Sequence, residues 1–329
     1  MNFVLLSGGS GKRLWPLSND SRSKQFLQLF QNDQGEYQSM VQRMYQQICA
    51  VDKAANITVA ASKSQMAYIR KQLGDAVGLC LEPCRRDTFP AIALATAYLH
   101  DVQGLGLDEV VVVLPVDPLV EKAYFEALAK LAALAQSSSA KLCLMGIEPT
   151  YPSTEYGYII PKTKDNVSPV ETFREKPDAE TVKEYLSRGA LWNAGVFAFK
   201  LGYVLQKAHE LMDFTGYADL FDKYEVLNKI SFDYAVVEHE PSIEVMRYAG
   251  MWKDLGTWKN LTESLPDNII GKAVLNESCE NVHIVNELDV PVLCMGLKNV
   301  IICVTPEGIL ISDKEQSSYI KPYVDEINP

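Results

Sequence analysis

Residues 2–14 read NFVLLSGGSGKRL, an apolar, strand-like run that passes straight into a glycine-dense turn ending in two cations. Backbone N–H groups in such a turn approach phosphate oxygens closely. Two familiar phosphate-binding loops do not fit, because a Walker A loop needs Gly where Leu6 stands and Ser or Thr where Arg13 stands, and a dinucleotide fingerprint needs Gly where Leu14 stands. The turn therefore predicts another kind of anion site, in which Lys12 and Arg13 neutralise a triphosphate or a pyrophosphate leaving group.

Strand-like and helix-like segments alternate after this turn. Further runs typical of strands are residues 57–61, 79–81, 110–114 and 142–146, and amphipathic or alanine-rich helical segments lie near 40–48, 65–73 and 90–101. Ser39 is suited to cap the first of these helices, and Pro90 to occupy the first turn of the last. The alternation predicts an α/β fold with a Rossmann-like, mixed but mostly parallel sheet and helices on both faces.

The polar motifs of this half follow the predicted strands directly. Residues 8–13, residues 82–88 and Asp117 each come where a strand ends. Ligands of open α/β sheets bind outside the carboxyl ends of the strands. We therefore expect the three segments to meet at one edge of the sheet.

The rest of the chain changes character twice. Residues 151–266 are less regular, with an aromatic strand at 156–160 and a helix at 178–188. The tail consists of short strand-like pieces separated by turn residues, at 282–285, 290–294, 300–304 and 309–311. We predict a catalytic domain over residues 1–266 and a small β-rich C-terminal domain over 267–329. We expect the tail to form an interface, so that the protein is a homodimer through its C-terminal domain.

Composition and charge exclude several classes of protein. The 329 residues are 47% hydrophobic and 22% charged, as in ordinary globular proteins. With 31 basic and 42 acidic residues the net charge is −11, which argues against nucleic acid as a partner. No apolar stretch approaches the roughly 20 residues that span a bilayer, and the N-terminus lacks the pattern of a secretory signal. Seven scattered cysteines without metal-binding spacing favour a reduced, cytoplasmic protein.

Motifs along nearly the whole chain resemble those of the mannose-1-phosphate guanylyltransferase family, in the short form without an isomerase domain. They occur in the family's order: Gly8 to Ser18 with Lys24-Gln25-Phe26; Glu82-Pro83 through Arg86, Thr88 and Pro90-Ala91-Ile92; Leu114-Pro115 and Asp117; Gly157-Tyr158-Ile159; Glu175-Lys176-Pro177; Asn193-Ala194-Gly195; and Asp254-Leu255-Gly256-Thr257-Trp258. The resemblance implies a sugar nucleotidyltransferase that joins a nucleoside triphosphate to a sugar 1-phosphate and releases pyrophosphate.

The resemblance also implies roles for the cations. Arg13 is expected to meet the β- and γ-phosphates, Lys24 to steady the α-phosphoryl group, and Lys176 to bind the phosphate of the incoming sugar. No general base is required, since a phosphate monoester is already ionised at neutral pH, so catalysis should rest on positioning and charge stabilisation. The implied nucleotide-binding residues are Gly8, Gly9, Ser10, Gly11, Lys12, Arg13, Glu82, Arg86 and Thr88.

Two carboxylates and a sugar pocket complete the implied site. Asp117 and Asp254 resemble the ligands of a magnesium ion, or another divalent cation, that also contacts substrate phosphates and water. The implied sugar-phosphate residues are Gly157, Glu175, Lys176 and Asn193. Asp233 also has a family counterpart, and we expect it to have a structural role.

Departures from the family pattern leave the exact substrates open. Arg85 and Asp87 stand where the family has Gly and Asn, beside Glu82, whose carboxylate complements the N1–H and N2–H₂ edge of guanine. Glu155 and Arg174 flank the expected sugar pocket, where they either form an ion pair or read a substituent that mannose lacks. GTP and mannose 1-phosphate are the first choice; UTP or CTP, or another sugar 1-phosphate such as a heptose, are the alternatives.

Three other classes of function fit the sequence less well. A nucleotide-binding regulator without activity would not need every cation and carboxylate of a two-anion site. A glycosyltransferase that uses a finished nucleotide sugar would not need the pyrophosphate-releasing turn, and a dinucleotide oxidoreductase would need the fingerprint that the chain lacks.

Overall fold

The computed structural model describes residues 1–9, 12–32 and 34–327 of the chain. Its helices are α1 (Met40–Val51), α2 (Met66–Leu73), α3 (Thr88–Asp101), α4 (Lys122–Ser137), α5 (Ala179–Ser187), α6 (Leu201–Leu211), α7 (Tyr217–Asp222), α8 (Phe232–Ala235), α9 (Trp258–Thr262) and α10 (Lys321–Ile327). None of the described helices is both long and apolar enough to span a bilayer.

The strands alternate with helices in the first half, as predicted, and follow one another closely in the tail. They are β1 (Asn2–Leu6), β2 (Gln28–Gln31), β3 (Tyr37–Ser39), β4 (Asn56–Ser62), β5 (Gly78–Glu82), β6 (Val110–Pro115), β7 (Pro118–Val120), β8 (Leu142–Ile147), β9 (Tyr158–Pro161), β10 (Val167–Arg174), β11 (Leu191–Lys200), β12 (Ile243–Tyr248), β13 (Trp252–Asp254), β14 (Ile269–Ile270), β15 (Ala273–Leu275), β16 (His283–Asn286), β17 (Val292–Cys294), β18 (Val300–Thr305) and β19 (Gly308–Asp313).

A nine-stranded mixed sheet forms the centre, in the order β5-β4-β1-β6-β11-β8-β12-β10-β9. The ladders among β5, β4, β1 and β6 and the ladder between β8 and β12 are parallel. Strands β11 and β10 run opposite to the rest, β11 being inserted between β6 and β8. The sheet is thus mixed as expected, and its carboxyl edge holds the ends of β1, β5 and β6, which carry the predicted motifs.

Helices cover both faces of this sheet. Because side chains alternate along a strand, Phe3 and Leu5 of β1 join a core with α1, α2, α4 and α5, whereas Val4 joins a second core with α3, α6 and α8. Val110 to Leu114 are buried on both faces, as the β-branched run of that strand predicts. Apolar burial on two faces, at roughly 25 cal/mol per Å², fixes the strand register and with it the positions of the polar strand ends.

The helix ends agree with their sequence signals. Ser39 accepts from the Gln42 N–H while its own N–H donates to the Gln42 side chain, so that α1 opens with a capping box. Pro90 lies in the first turn of α3, where its missing N–H costs nothing. Asp178 accepts from the N–H groups of Glu180 and Thr181 and thereby caps α5.

The tail forms short, mostly parallel ladders against the main body. A four-stranded sheet has the order β14-β16-β18-β19, with only the last ladder antiparallel, and β15 pairs in parallel with β17. Val285, Ile301 and Cys303 of the tail share a hydrophobic core with Leu14 and Leu17 from the segment after the glycine turn. The tail therefore packs directly on the motif that opens the chain.

Candidate active site

The glycine turn after β1 is held by contacts from the segment that follows it. Gly9 has φ +128, a backbone conformation that favours glycine. The Gln25 amide donates to the carbonyl and hydroxyl oxygens of Ser7 at 2.8 and 2.9 Å, and the Ser23 hydroxyl donates to the Gly9 carbonyl at 3.3 Å. Ser10 and Gly11, also predicted to bind nucleotide, lie outside the described residues.

A polar cavity of about 530 Å³ opens over this turn. Its cationic lining comes from Lys12, Arg13 and Lys24, as predicted, and from Lys321 of the tail. Other lining residues are Gly8, Gly9, Leu14, Gln25, Asp117 and Gly256. A small cavity bounded by four cations and a glycine turn has the chemistry of a polyphosphate site.

Lys24 lies between the two predicted metal carboxylates. Its Nζ is 2.7 Å from Asp117 Oδ2 and 3.6 Å from Asp254 Oδ1. Burial alone would lower the pKa of Lys24, but the facing carboxylates of Asp117 and Asp254 outweigh it and raise that pKa above its usual value. Burial likewise opposes ionisation of Asp117, and the charge of Lys24 outweighs it, so the pKa of Asp117 is lowered. Lys24 and Asp117 are therefore both charged at neutral pH.

Asp117 and Asp254 are brought together by a small ladder. Asp117 follows β6, and the pairing of β7 with β13 sets Asp254 opposite Pro118. Gly256 leaves room for the carboxylate of Asp254, since a Cβ at position 256 would lie 2.9 Å from Asp254 Oδ2. Among the described residues no group of three or more His, Cys, Asp or Glu side chains forms a metal cage.

The segment after β5 is tied to distant parts of the chain. Glu82 is only 7% exposed, and the Tyr224 hydroxyl donates to its Oε2 at 2.6 Å. Burial raises the pKa of Glu82, and the hydrogen bond from Tyr224 acts in the opposite direction. Arg86 donates to the Glu225 carbonyl, and the Phe232 N–H donates to the Thr88 hydroxyl at 2.8 Å.

Arg85 takes a position that sequence reasoning does not anticipate. Its guanidinium donates to the Gly9 carbonyl at 3.0 Å and to Asp20 Oδ1 at 3.1 Å. The residue that stands in place of the family's glycine thus connects the predicted base segment to the glycine turn.

The predicted sugar residues meet at Asn193, near the start of β11. The Asn193 N–H donates to the Gly157 carbonyl at 2.8 Å. A Cβ at Gly157 would lie 2.4 Å from Glu175 Oε2 and 3.3 Å from Asn193 Cβ, so only glycine allows this approach. Lys176 Nζ lies 3.5 Å from Glu175 Oε1, and 56% of the Lys176 side chain is exposed.

The partly buried Asp233 accepts a hydrogen bond from the Asn193 amide. Asn193 Nδ2 donates to Asp233 Oδ1 at 2.7 Å, while its Oδ1 accepts from the Gly195 N–H at 3.0 Å. Burial, and then the charge of Glu175, raises the pKa of Asp233 to about 7. The ion pair considered between Glu155 and Arg174 is not among those that the described residues form.

Tyr224, Lys321 and Asp325 are site residues that the motifs do not reveal. Tyr224 meets Glu82 across 142 positions of sequence, and Asp325 meets Lys12 across 313. No local pattern signals such contacts, because each partner lies far away in sequence.

The sheet and its edge define a class of protein. The glycine turn after β1, the cations that line the cavity with it, Asp117 after β6 and Asp254 at the end of β13 suit the transfer of a nucleotidyl group. The chain belongs to the nucleotidyl transferase family, whose model matches residues 2–268.

Particular relatives narrow the class. The xanthan biosynthesis protein XanB of Xanthomonas campestris is 32% identical over 98% of this chain and 72% of its own length. Mannose-1-phosphate guanylyltransferase ManC of Salmonella typhimurium is 30% identical over 98% of this chain and 72% of its own length. A solved structure described as mannose-1-phosphate geranyltransferase of Thermus thermophilus superposes with a TM-score of 0.78 at 28% identity, covering 100% of this chain and 99% of the other. The expected resemblance to mannose-1-phosphate guanylyltransferases is confirmed.

Proposed function

We propose that this nucleotidyltransferase transfers GMP from GTP to mannose 1-phosphate, giving GDP-mannose and pyrophosphate. The observation that carries the proposal is the cavity lined by the glycine turn, Arg13, Lys24 and Asp117, with Asp254 Oδ1 3.6 Å from Lys24 Nζ. The relatives named for mannose 1-phosphate support the choice of sugar.

The reaction needs two anions to be held in line. An oxygen of the sugar phosphate attacks the α-phosphorus, a new P–O bond forms, and the bond from the α-phosphorus to the bridging oxygen breaks as pyrophosphate leaves. Arg13 and Lys12 bind the departing β- and γ-phosphates beside the N–H groups of Gly8 and Gly9, and Lys24 steadies the α-phosphoryl group. Ser10 and Gly11 belong to the same proposed set.

Lys176 is proposed to bind the second anion, the phosphate of the sugar. Its exposed ammonium binds the phosphate of the incoming sugar, and its Nζ lies 3.5 Å from Glu175 Oε1, next to the proposed sugar residues. Since the sugar phosphate is already ionised, no side chain has to remove a proton from it.

The two aspartates fit a divalent cation. The carboxylates of Asp117 and Asp254 both lie within 4 Å of the positive charge on Lys24 Nζ, so both can face a cation at this position. Oxygen ligands from carboxylates, phosphates and water suit Mg²⁺. When bound, Mg²⁺ or another divalent cation would neutralise charge on the phosphoryl oxygens. Asp117 and Asp254 would hold it, and Lys24 would then pair with the α-phosphate.

Glu82, Arg86 and Thr88 are proposed to surround the base. The buried Glu82 carboxylate, oriented by Tyr224, is the group suited to accept from guanine N1–H and N2–H₂. Arg86 and Thr88 shape the pocket by anchoring its wall to Glu225 and Phe232.

Gly157, Glu175 and Asn193 are proposed to bind the hydroxyl groups of the sugar. Glu175 Oε2 occupies the space that a Cβ at Gly157 would fill, which keeps the carboxylate next to Asn193. The Asn193 amide has a second N–H to donate to the sugar, because Asp233 accepts only one.

We further propose that residues 1–266 form the catalytic domain and 267–329 a C-terminal domain that dimerises. The family match ends at residue 268. Exposed apolar side chains of the tail, Val274, Val290, Leu293 and Met295, support a second copy as the partner. Free cysteines at all seven positions suit a reducing compartment such as the cytoplasm. Light scattering of the intact chain and of a Leu293→Lys variant tests the dimer, which the variant should weaken.

One experiment tests the reaction and its substrates. Pyrophosphate release is measured for GTP, ATP, UTP and CTP, each with mannose 1-phosphate, glucose 1-phosphate and a heptose 1-phosphate. We expect turnover to be greatest with GTP and mannose 1-phosphate, and to be lost in Lys24→Met. Turnover with a pyrimidine nucleotide alone would overturn the guanylyl assignment, and nucleotide binding without turnover for any pair would favour a regulator.

A further inference from the structure

The last described helix lies over the phosphate cavity. Lys12 Nζ, from the short helix after the glycine turn, is 2.6 Å from Asp325 Oδ1 of α10. Lys321, one turn earlier in α10, lines the same 530 Å³ cavity as Arg13 and Lys24. The C-terminal segment thus brings both a cation and an anion to a site built otherwise from the first 256 residues.

The sequence of α10 explains how one helix does both. Lys321, Val324 and Asp325 are spaced by three and four residues, and they share one helix face. Val324 is 2% exposed, so this face packs on the protein, whereas Tyr323 on the other side is 64% exposed. Lys259, which pairs with Glu315 at 2.7 Å just before α10, ties the start of the segment to α9.

Charge decides what each of the two polar residues can do. The cavity is lined by cations, and the Asp325 carboxylate pairs with one of them, Lys12, in the way that a phosphate oxygen would. The side chains of Lys12 and Asp325 are 36% and 46% exposed, and an ion pair so open to solvent contributes little stability. A triphosphate carries more negative charge and makes several charge-assisted hydrogen bonds at once, so it displaces a single carboxylate.

We propose that Lys321 is a further phosphate-binding residue, contributed by the C-terminal helix, and that Asp325 is an internal counter-ion that releases Lys12 to the incoming polyphosphate. The proposal deepens the proposed function and rests on it for the identity of the nucleotide. Lys321 is well suited to the β- and γ-phosphates because it faces the cavity beside Lys12 and Arg13.

Two variants and two matched controls test the proposal in the full-length chain. Lys321→Gln removes the cation, and Lys298→Gln removes a lysine of the tail that pairs with Glu280 on the surface. Asp325→Asn removes the counter-ion, and Glu326→Gln changes its exposed neighbour. Calorimetry with inorganic pyrophosphate and with tripolyphosphate gives Kd, steady-state kinetics gives KM for GTP and for mannose 1-phosphate, and thermal melting confirms that each variant is folded.

The expected effects have opposite signs. Lys321→Gln should weaken polyphosphate binding and raise KM for GTP about 10-fold, since one charge-assisted contact is lost. Asp325→Asn should tighten polyphosphate binding about threefold, since Lys12 no longer has a competing partner. Both controls, and KM for mannose 1-phosphate in every variant, should stay within about twofold of the starting protein, as expected for surface changes.

Either of two results would overturn the proposal. One is polyphosphate affinity in Lys321→Gln equal to that in Lys298→Gln; the other is weaker binding in Asp325→Asn. Failure of the proposed function is a separate outcome, because a chain without guanylyl transfer would still report, through calorimetry with pyrophosphate, whether Lys321 and Asp325 act as stated.

Discussion

The Tyr224 hydroxyl donates to Glu82 Oε2 at 2.6 Å, and this bond joins the end of β5 to a short helix 142 residues further along. Two hydrogen bonds from backbone N–H groups link the same segments, from Phe89 to the Ile230 carbonyl and from Phe232 to the Thr88 hydroxyl. The proposed base pocket therefore takes its shape from residues 224–232 as much as from its own motif.

Replacement of Tyr224 by Phe should weaken GTP binding and change its pH dependence. Burial raises the pKa of Glu82, and loss of the opposing hydrogen bond should raise it further. Because the carboxylate is the form that accepts from guanine, the acid limb of kcat/KM for GTP should move to higher pH, with KM about 10-fold higher near neutrality. Tyr217→Phe, nearby in α7, is the control, and a profile of Tyr224→Phe that coincides with it would contradict the role of Glu82.

Asp254→Asn should raise the Mg²⁺ concentration needed for half-maximal activity. The substitution removes one of two carboxylate charges facing Lys24, so we expect a shift of at least about 10-fold with a smaller change in KM for mannose 1-phosphate. Magnesium titrations at saturating substrates measure it, with Glu126→Gln, exposed on α4, as the control. An unchanged titration would remove Asp254 from the proposed metal site.

Stability should fall with rising pH because of Asp233. Its pKa is raised from 3.8 to about 7, mainly by burial, so between these values the folded chain binds a proton that the unfolded chain has lost. Stability conferred by this proton is present below pH 4 and is lost as pH rises to about 7. Since one pKa unit corresponds to 1.36 kcal/mol, the loss is at most about 4 kcal/mol.

Asp233→Asn isolates this contribution. Relative to the starting protein, the variant should gain stability progressively between pH 4 and 7 and show a constant difference above that range. Denaturant unfolding at several pH values provides the measurement, and Asp222→Asn, on the exposed face of α7, provides the comparison. A difference that does not depend on pH would show that Asp233 is ionised throughout.

Gly157→Ala should impair sugar binding selectively. The new methyl group would lie 2.4 Å from Glu175 Oε2, and the carboxylate would have to leave the position from which it faces the sugar. We expect KM for mannose 1-phosphate to rise roughly 10- to 100-fold, with KM for GTP little changed. Gly106→Ala, where the nearest atom to an added Cβ is Glu109 Cγ at 3.8 Å, is the control.

Local signals in the sequence predict most single elements. The strand before the glycine turn, the Ser39 cap of α1 and the buried run of β6 all follow from periodicity and capping rules, and the structure confirms them. Boundaries are less accurate: the aromatic strand predicted to begin at Tyr156 begins at Tyr158, because the preceding residues form a loop closed by Ser153.

Long-range placement is what the sequence does not contain. Strand β11 enters the sheet between β6 and β8 and runs opposite to both, although nothing in its residues distinguishes it from a parallel strand. The same reason hides Lys321 and Tyr224, whose partners are far away in sequence. Family motifs supply Arg13, Lys24, Asp117 and Asp254 as a set, and the structure brings both aspartates within 4 Å of Lys24 Nζ.

One hydrophobic core joins the tail to the segment after the glycine turn, although the family match ends where the tail begins. Val285, Ile301 and Cys303 pack with Leu14 and Leu17, and Arg22 pairs with Glu287 through both guanidinium nitrogens at 2.6 and 2.8 Å. The family match ends at residue 268, but the packed core continues into the tail. A chain cut there would lose Lys321 from the phosphate cavity and the apolar partners of Leu14 and Leu17, so we expect the tail and the glycine turn to unfold together.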